Sequence, residues 1–491
     1  MARNLIARLH DRFHPEARFS RRDALKASIA SAAGLLLSSC SDRTEKNGGS
    51  GAPRVCVIGA GFAGLACAHE LAAAGYDVTV VEAKERVGGR VLSRRDLVPG
   101  KNVEAGGELI GSNHPVWISY AKTFGLEMLD VSEEDGLAPV KFEGKLLTAE
   151  EQEALWAEFE EALPAINAQA APVDSESPWL TPGAAELDAR TTADALEGLE
   201  TGPATRRELR RQLAGDNGVA VEKQSWLGNL AMIKGGGLEK YWTDSEVYRC
   251  RGGNQQLAQK LADAVGAGRV RLGVHAVRVD ATDRGVVVKL ADLTRIEADW
   301  AVVAVPPSVW KKIEFEPALP PGLNPQMGIN VKYLAVLDSA FWRAAGQSPD
   351  ALTDGPISET WNATDGQESG EGACLAAYSG GPAAEECRAV GAAGRAEKYM
   401  LLMGNLWPDF EKHFKKYLFM DWPADSWIGA GYAFPRPGEV MNVGPRLREG
   451  VGRVQFAGEH ACPGFVGYME GALQSGVSVA KRIATVDARA R

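Results

Sequence analysis

Between residues 54 and 83 the chain reads RVCVIGAGFAGLACAHELAAAGYDVTVVEA. A short continuous apolar run leads into a glycine turn, then a long apolar stretch, then a second β-rich run. That order predicts a buried strand, a helix and a second strand. Comparable patterns recur further along. GRVRLGVHAVRVD (268–280) predicts a strand pair, and ADWAVVAVPPSVW (298–310) a strand that stops at Pro-Pro. INVKYLAVLDSAFW (329–342) alternates as a strand, with Ile329, Val331 and Tyr333 on one face and Lys332 on the other. The second half of SEEDGLAPVKFEGKLLTAEEQEALWAEFEEALPAI has capping residues and helical spacing, and RGGNQQLAQKLADAVG (251–266) is a glycine turn into a helix. From Ala171 to Thr205 the periodicity fades, which predicts a surface excursion with short helices. Near the end, VQFAGEHACPGFVGYMEGALQSGVSVAKRI (454–483) predicts a short strand, a glycine-rich turn and a long helix.

The first turn carries candidate chemistry. Gly59, Gly61 and Gly64 fit GxGxxG between a strand and a helix that opens with Phe62 and Ala63. Gly59 permits the tight turn, Gly61 lets a pyrophosphate reach backbone N–H groups at the positive helix end, and Gly64 brings helix against strand. Glu82, followed by Ala83, closes the second strand, where a carboxylate accepts from a ribose hydroxyl. ERVGGRV (85–91) then adds Gly89 and a phosphate-facing Arg90, a loop that a simple NAD enzyme does not need. The loop resembles the GGR segment of FAD-dependent amine oxidases, which implies FAD as the dinucleotide. At 491 residues, two domains are expected. A net charge of −10 argues against nucleic acid as the main partner. The seven cysteines and seven histidines show no metal spacing, so no metal site is expected.

The leader has a different character. Residues 1–26 hold seven Arg or Lys against three Asp or Glu, and the apolar run ASIASAAGLLL (27–37) is too short to span a bilayer. SRRDALK (20–26) resembles the bacterial twin-arginine export signal, although Ala24 stands where a bulky apolar residue is usual. LSSC (37–40) is similar to a lipobox, which implies lipid attachment at Cys40. A basic amphipathic N-terminal helix is the plainer alternative. Export to the bacterial periplasm or cell envelope is the expectation, with SDRTEKNGGSGAP (41–53) as a flexible linker.

The glycine turn, ERVGGRV, EAGGELIG (104–111) and the 454–483 block together resemble the flavin-containing amine oxidase family, which includes monoamine, polyamine and L-amino-acid oxidases. The resemblance covers residues 54 to about 483. It implies that Gly107, Glu108, Gly458, Glu459, Val466 and Gly467 contact the cofactor, and that backbone at Val277 lies against the adenine. It also implies that Lys332 reaches flavin N5 through a water. Tyr432, in SWIGAGYAFPRPG, and Tyr468, in GYMEGA, are implied as the two walls of an aromatic cage. Monoamine oxidases attach FAD to a cysteine just before the first cage tyrosine. Gly431 stands there, so non-covalent FAD is expected. Taken alone, Lys332 equally suits a solvated strand edge, the tyrosines a packed core and Glu459 a solvated turn. His460 and Cys462 lack any base at a nucleophile's spacing and are read as local structure.

The implied fold is α/β: a discontinuous Rossmann-like FAD domain (54–110, 245–315, 436–485) interleaved with an α+β substrate domain (111–244, largely helical, and 316–435). Residues 1–40 form the signal and 41–53 the linker. The implied reaction is oxidative deamination of an L-amino acid, with O2 as acceptor and 2-oxo acid, ammonia and hydrogen peroxide as products. AGEH (457–460) favours that branch. The missing arginine after GGELIG favours the alternative, a primary-amine or polyamine oxidase, because a carboxylate needs a cation and Arg436 is the remaining candidate. A flavin desaturase or a non-enzymatic electron carrier shares the nucleotide motifs. KQSWLGNLAMIKGGGLEKYW (223–242) is placed towards the substrate tunnel. The oligomeric state stays open, a dimer being compatible.

Overall fold

The computed structural model describes residues 51–132, 136–367 and 371–490. The twin-arginine-like segment, the apolar run and Cys40 lie outside the described residues. Among the described residues, no helix is long and apolar enough to cross a membrane.

Five parallel strands form one sheet in the order Val454–Phe456, Trp300–Val303, Arg54–Ile58, Asp77–Val81, Val270–Arg271. The near-continuous apolar runs of Arg54–Ile58, Asp77–Val81 and Trp300–Val303 reflect burial on both faces, whereas the edge strand Val270–Arg271 is partly exposed. The helices Phe62–Ala73 and Met469–Ala490 pack on each other beside this sheet. They approach so closely that a methyl group on Gly476 would overlap the carbonyl oxygen of Ala63. The sheet thus joins strands from widely separated parts of the chain.

The expected strand pair within 268–280 does not form. Val270–Arg271 joins the parallel sheet beside Asp77–Val81, whereas Ala276–Thr282 pairs with Gly285–Leu290 and Glu314–Glu316 in a separate four-stranded sheet. The turn at Gly273, with a positive φ of 71°, sends the chain from one sheet to the other.

A seven-stranded sheet forms the other layer, with Asn330–Leu337 between Ala373–Gly380 and Phe414–Met420. The predicted alternation holds. Val331, Tyr333 and Ala335 enter one apolar cluster, with Trp407 and Phe410, while Leu334 and Val336 enter another with Trp361 and Tyr378. Helix Ala149–Ala170 begins with a complete capping box between Thr148 and Glu151. The 171–205 stretch supplies short helices, Ala184–Ala189 and Thr192–Glu197, which also contribute to the core.

The hairpin Ser93–Arg94 and Val103–Glu104 buries the Glu104 carboxyl. Burial pushes that acid up to about 7 from 4.5, against hydrogen bonds from Asn254 N, Asn102 and Ser93. The native state therefore holds a proton that the unfolded chain releases near 4.5. The resulting stability is complete below about 4.5 and is lost as pH rises through about 7. It amounts to at most about 3 kcal/mol. Glu104→Gln keeps the acceptor for Asn102 and Asn254 and offers Ser93 a donor. Its Tm relative to the parent is expected to climb between about pH 5 and 8. A constant difference across that range in a thermal melt would show that Glu104 does not titrate there.

Candidate active site

A cavity of about 1560 Å³, counting the space open at its mouth, is lined by residues of both layers. The glycine turn forms part of its wall. Gly59 has φ of 111°, and a Cβ there would sit 2.7 Å from Ala304 O. A Cβ on Gly61 would meet nothing within 4 Å, so this backbone faces open space. Gly61 is also the N-cap of helix Phe62–Ala73, and that helix start has no side-chain cap and no acid in its first turn. Uncapped N–H groups at the positive end of a twelve-residue helix suit a pyrophosphate. The second loop lies directly against this turn: Gly88 N donates to Ala60 O at 2.8 Å, and Arg86 donates to the carbonyls of Val87, Gly89 and Val91.

Glu82 is held ready at the end of its strand, its carboxylate accepting from Ala60 N at 2.7 Å and Lys84 N at 2.9 Å. Arg90 donates through Nη1 to Gly431 O (2.7 Å) and Glu459 Oε1 (2.9 Å). Glu459 is buried and also accepts from Ala433 N and Gly467 N. It is not a solvated turn acid; it ties three separate stretches of the chain together. His460 is a further fit to a polar ligand. Its imidazole lines the cavity, is 8 % exposed, and has no hydrogen-bond partner on either nitrogen. Burial and the neighbouring Arg90 charge hold it far down, at about 3, so the ring is neutral. The bare helix end, the ready carboxylate and the orphaned imidazole together fit FAD.

Lys332, Tyr432 and Tyr468 line the same cavity, as do Gly59, Gly61, Phe62, Ala63, Glu82, Ala83, Gly89, Arg90, Gly107, Gly458, Glu459 and Gly467. Four expected contacts do not line it. Gly64 sits behind the turn, where a Cβ would overlap Gly59 O. Val277 is 37 % exposed, and its neighbours His275 and Ala276 form the wall instead. Val466 lines a smaller apolar cavity on the far side of His460. Glu108 is a buried carboxylate facing Lys332, not a cavity residue.

Lys332 is not on a solvated edge. Its Nζ donates to Glu108 Oε2 at 2.8 Å, Gly106 O at 3.0 Å and Glu104 O at 3.2 Å. All three ammonium hydrogens are thereby engaged by protein. A water bridge from Lys332 to the flavin would require one of these bonds to open.

Tyr432 is fixed by hydrogen bonds from its hydroxyl to Gly215 O and with the hydroxyl of Tyr378. Tyr378 lines the cavity too and stands directly opposite Lys332 in the strand register. No sequence signal marked it, because only the antiparallel pairing brings it there. Tyr468 stands edge-on to His114, with ring centroids 5.4 Å apart. Burial first, and then the neighbouring hydroxyls of Tyr378 and Tyr241, push the phenols of Tyr432 and Tyr468 well above their usual range. Arg436, the remaining carboxylate candidate, points elsewhere: it pairs with Glu439 at 2.7 Å and is half exposed. Burial pushes the Cys462 thiol up to about 12, far from nucleophilic.

Comparison with known proteins adds a family, two relatives and two solved structures. The family model described as flavin containing amine oxidoreductase matches residues 62–484. An L-amino acid dehydrogenase of Synechocystis sp. is 26 % identical over 447 residues, covering 87 % of this chain and 94 % of that one. Human amine oxidase [flavin-containing] B is 27 % identical over 467 residues, covering 87 % and 85 %. Among solved structures, cyclohexylamine oxidase from Brevibacterium oxydans IH-35A superimposes with a TM-score of 0.80 at 27 % identity, covering 89 % of this chain and 99 % of that one. Putrescine oxidase shares the fold at a TM-score of 0.80 and 24 % identity, covering 88 % and 99 %.

Proposed function

Because the chain belongs to the flavin containing amine oxidoreductase family, we propose that this FAD-dependent oxidoreductase is an oxidase of primary amines, with dioxygen as electron acceptor. The observation that carries the choice of amine over amino acid is the state of the arginines and of the lysine beside the cage. Arg436 pairs with Glu439, while Arg90 and Lys332, which line the cavity, pair with Glu459 and Glu108. A substrate carboxylate would have to break one of these ion pairs to gain a partner, whereas an amine need not.

Bound in this cavity, FAD would supply two-electron redox chemistry: a hydride from the carbon bearing nitrogen and a proton from the nitrogen would leave an imine for hydrolysis, and the two electrons with two protons would reduce dioxygen to hydrogen peroxide. The protein's own groups bind and orient. Tyr432 and Tyr468 present buried rings at the cavity wall and keep water from the amine. The hydrogen bond to Tyr378 stops Tyr432 from turning. Glu82 would receive the ribose and the bare end of helix Phe62–Ala73 the pyrophosphate. With Gly431 before the cage tyrosine and no cysteine lining the cavity, FAD is held non-covalently and leaves on denaturation.

The second reading, oxidation of L-amino acids, is favoured by the Synechocystis relative. Anaerobic mixing of the yellow protein with panels of primary amines, diamines and L-amino acids separates the two. Flavin bleaching by amines, with peroxide on admitting air, is the expected result. Bleaching by L-amino acids alone overturns it, and reduced flavin that persists in air removes dioxygen as acceptor. The leader supports export to the bacterial envelope with Cys40 as a lipid site. Fractionation of cells making the full chain tests this, a cytoplasmic pool opposing it.

A further inference from the structure

The lysine at the cavity wall belongs to a larger buried assembly. Glu108 accepts from Lys332 Nζ through Oε2 at 2.8 Å and from the indole N–H of Trp361 through Oε1 at 2.8 Å. Arg249 Nε stands 2.9 Å from Oε1 as an ion pair, and its Nη2 donates to Asn362 O at 2.7 Å. The Lys332 ammonium also lies 5.2 Å above the Trp361 ring. These groups come from four distant stretches of sequence, and Glu108, Arg249 and Trp361 are nearly inaccessible to solvent. Burial drives the Glu108 carboxyl upward, but the charges of Lys332 and Arg249 outweigh it and hold the group below its usual range, ionised.

A lone buried carboxylate between two cations is costly to assemble and is seldom a source of net stability. Its geometry here has a different effect. Lys332 and Arg249 would repel each other without Glu108, and only two carbonyl oxygens would then hold the ammonium. With Glu108, the trio carries one net positive charge, and the member that reaches the cavity is Lys332.

We propose that Glu108 is a positioning residue, which pins the Lys332 ammonium to the flavin-cavity wall so that its charge faces the place where dioxygen is reduced. Two electrons and two protons pass from reduced FAD to O2, giving oxidised FAD and hydrogen peroxide. Negative charge develops on oxygen before the protons follow, and a fixed cation favours that step. The inference rests on bound FAD and on dioxygen as acceptor, and it is independent of which amine is oxidised.

The test uses the full FAD-loaded protein, reduced by light instead of substrate and then mixed with oxygenated buffer. Lys332→Met is expected to slow reoxidation about 100-fold. Glu108→Gln is expected to slow it about tenfold, and to have no further effect when combined with Lys332→Met. Trp361→Phe, which removes one donor to Glu108 and no charge, is expected to act in the same direction more weakly. If Glu108→Gln fails to retain FAD, Trp361→Phe in the two lysine backgrounds decides the matter. A second readout is the midpoint potential of the bound flavin, which is expected to fall in Glu108→Gln as the cation moves away. Faster reoxidation with a raised potential would overturn the proposal, because Glu108 would then only offset charge. Effects of Glu108→Gln and Lys332→Met that multiply would overturn it as well. A parent protein that reoxidises slowly would instead remove dioxygen as acceptor, and the potential would still test the tether.

Discussion

Gly64→Val is expected to give a colourless protein with little cooperative unfolding. A Cβ at Gly64 would overlap the carbonyl oxygen of Gly59 and lie 3.1 Å from Ala304 Cβ. Backbone blocks one side and a packed strand the other, so no rotamer relieves the clash. Overpacking at such a site costs at least about 3 kcal/mol. The larger loss is geometric: pushing helix Phe62–Ala73 away from its turn withdraws the N–H groups that meet the pyrophosphate. Gly61→Val, only three residues away, has the opposite signature. Nothing lies within 4 Å of a Cβ at Gly61. That variant is expected to fold with the Tm of the cofactor-free parent and to bind no FAD. The ratio of absorbance near 450 nm to that of the protein, with a thermal melt, separates the two. A yellow Gly61→Val protein would exclude the turn as the pyrophosphate site.

Arg90→Met is expected to cost both stability and cofactor. Its guanidinium joins the second cofactor loop to Gly431 O and Glu459, and Glu459 in turn holds Ala433 N and Gly467 N beside the two cage tyrosines. Removing the cation leaves a carboxylate that is 3 % exposed with amide partners alone. Breaking a fully buried pair costs about 3–5 kcal/mol, and the partial exposure of Arg90 lowers that to about 2 kcal/mol. The FAD dissociation constant is expected to rise about 100-fold, because one arginine links the cofactor loop to the cage. Adding Glu459→Gln removes the stranded charge and is expected to recover part of the Tm but none of the FAD affinity. Recovery of both by the double variant would show that Arg90 serves only to neutralise Glu459.

The glycine turn, the GGR loop and the C-terminal block were legible in the sequence because cofactor chemistry demands small residues at fixed local spacing. Lys332 was legible as the polar interruption of an otherwise apolar strand. Its partners were not: Glu108 lies 224 residues away, and nothing local distinguishes a carboxylate that binds a cofactor from one that anchors a lysine. Tyr378 escaped for a similar reason, since its strand is buried throughout and only the register Lys332↔Tyr378 gives it a position. The split of Val270–Arg271 and Ala276–Thr282 between two sheets depends on which distant strands compete for each edge. His460 carried no local signal either, as its meaning comes from lacking a partner in the folded state.

The parallel sheet places Arg54–Ile58 and Val454–Phe456 on either side of Trp300–Val303, and the helix Met469–Ala490 lies on Phe62–Ala73 with only Gly476 to separate them. A ribosome delivers these partners at opposite ends of synthesis. The nascent chain therefore carries the apolar flank of its first helix uncovered through most of translation, and the flavin cavity acquires Gly467 and Tyr468 last. The cavity is therefore complete only after this last stretch has been made, and FAD can enter the finished site only then.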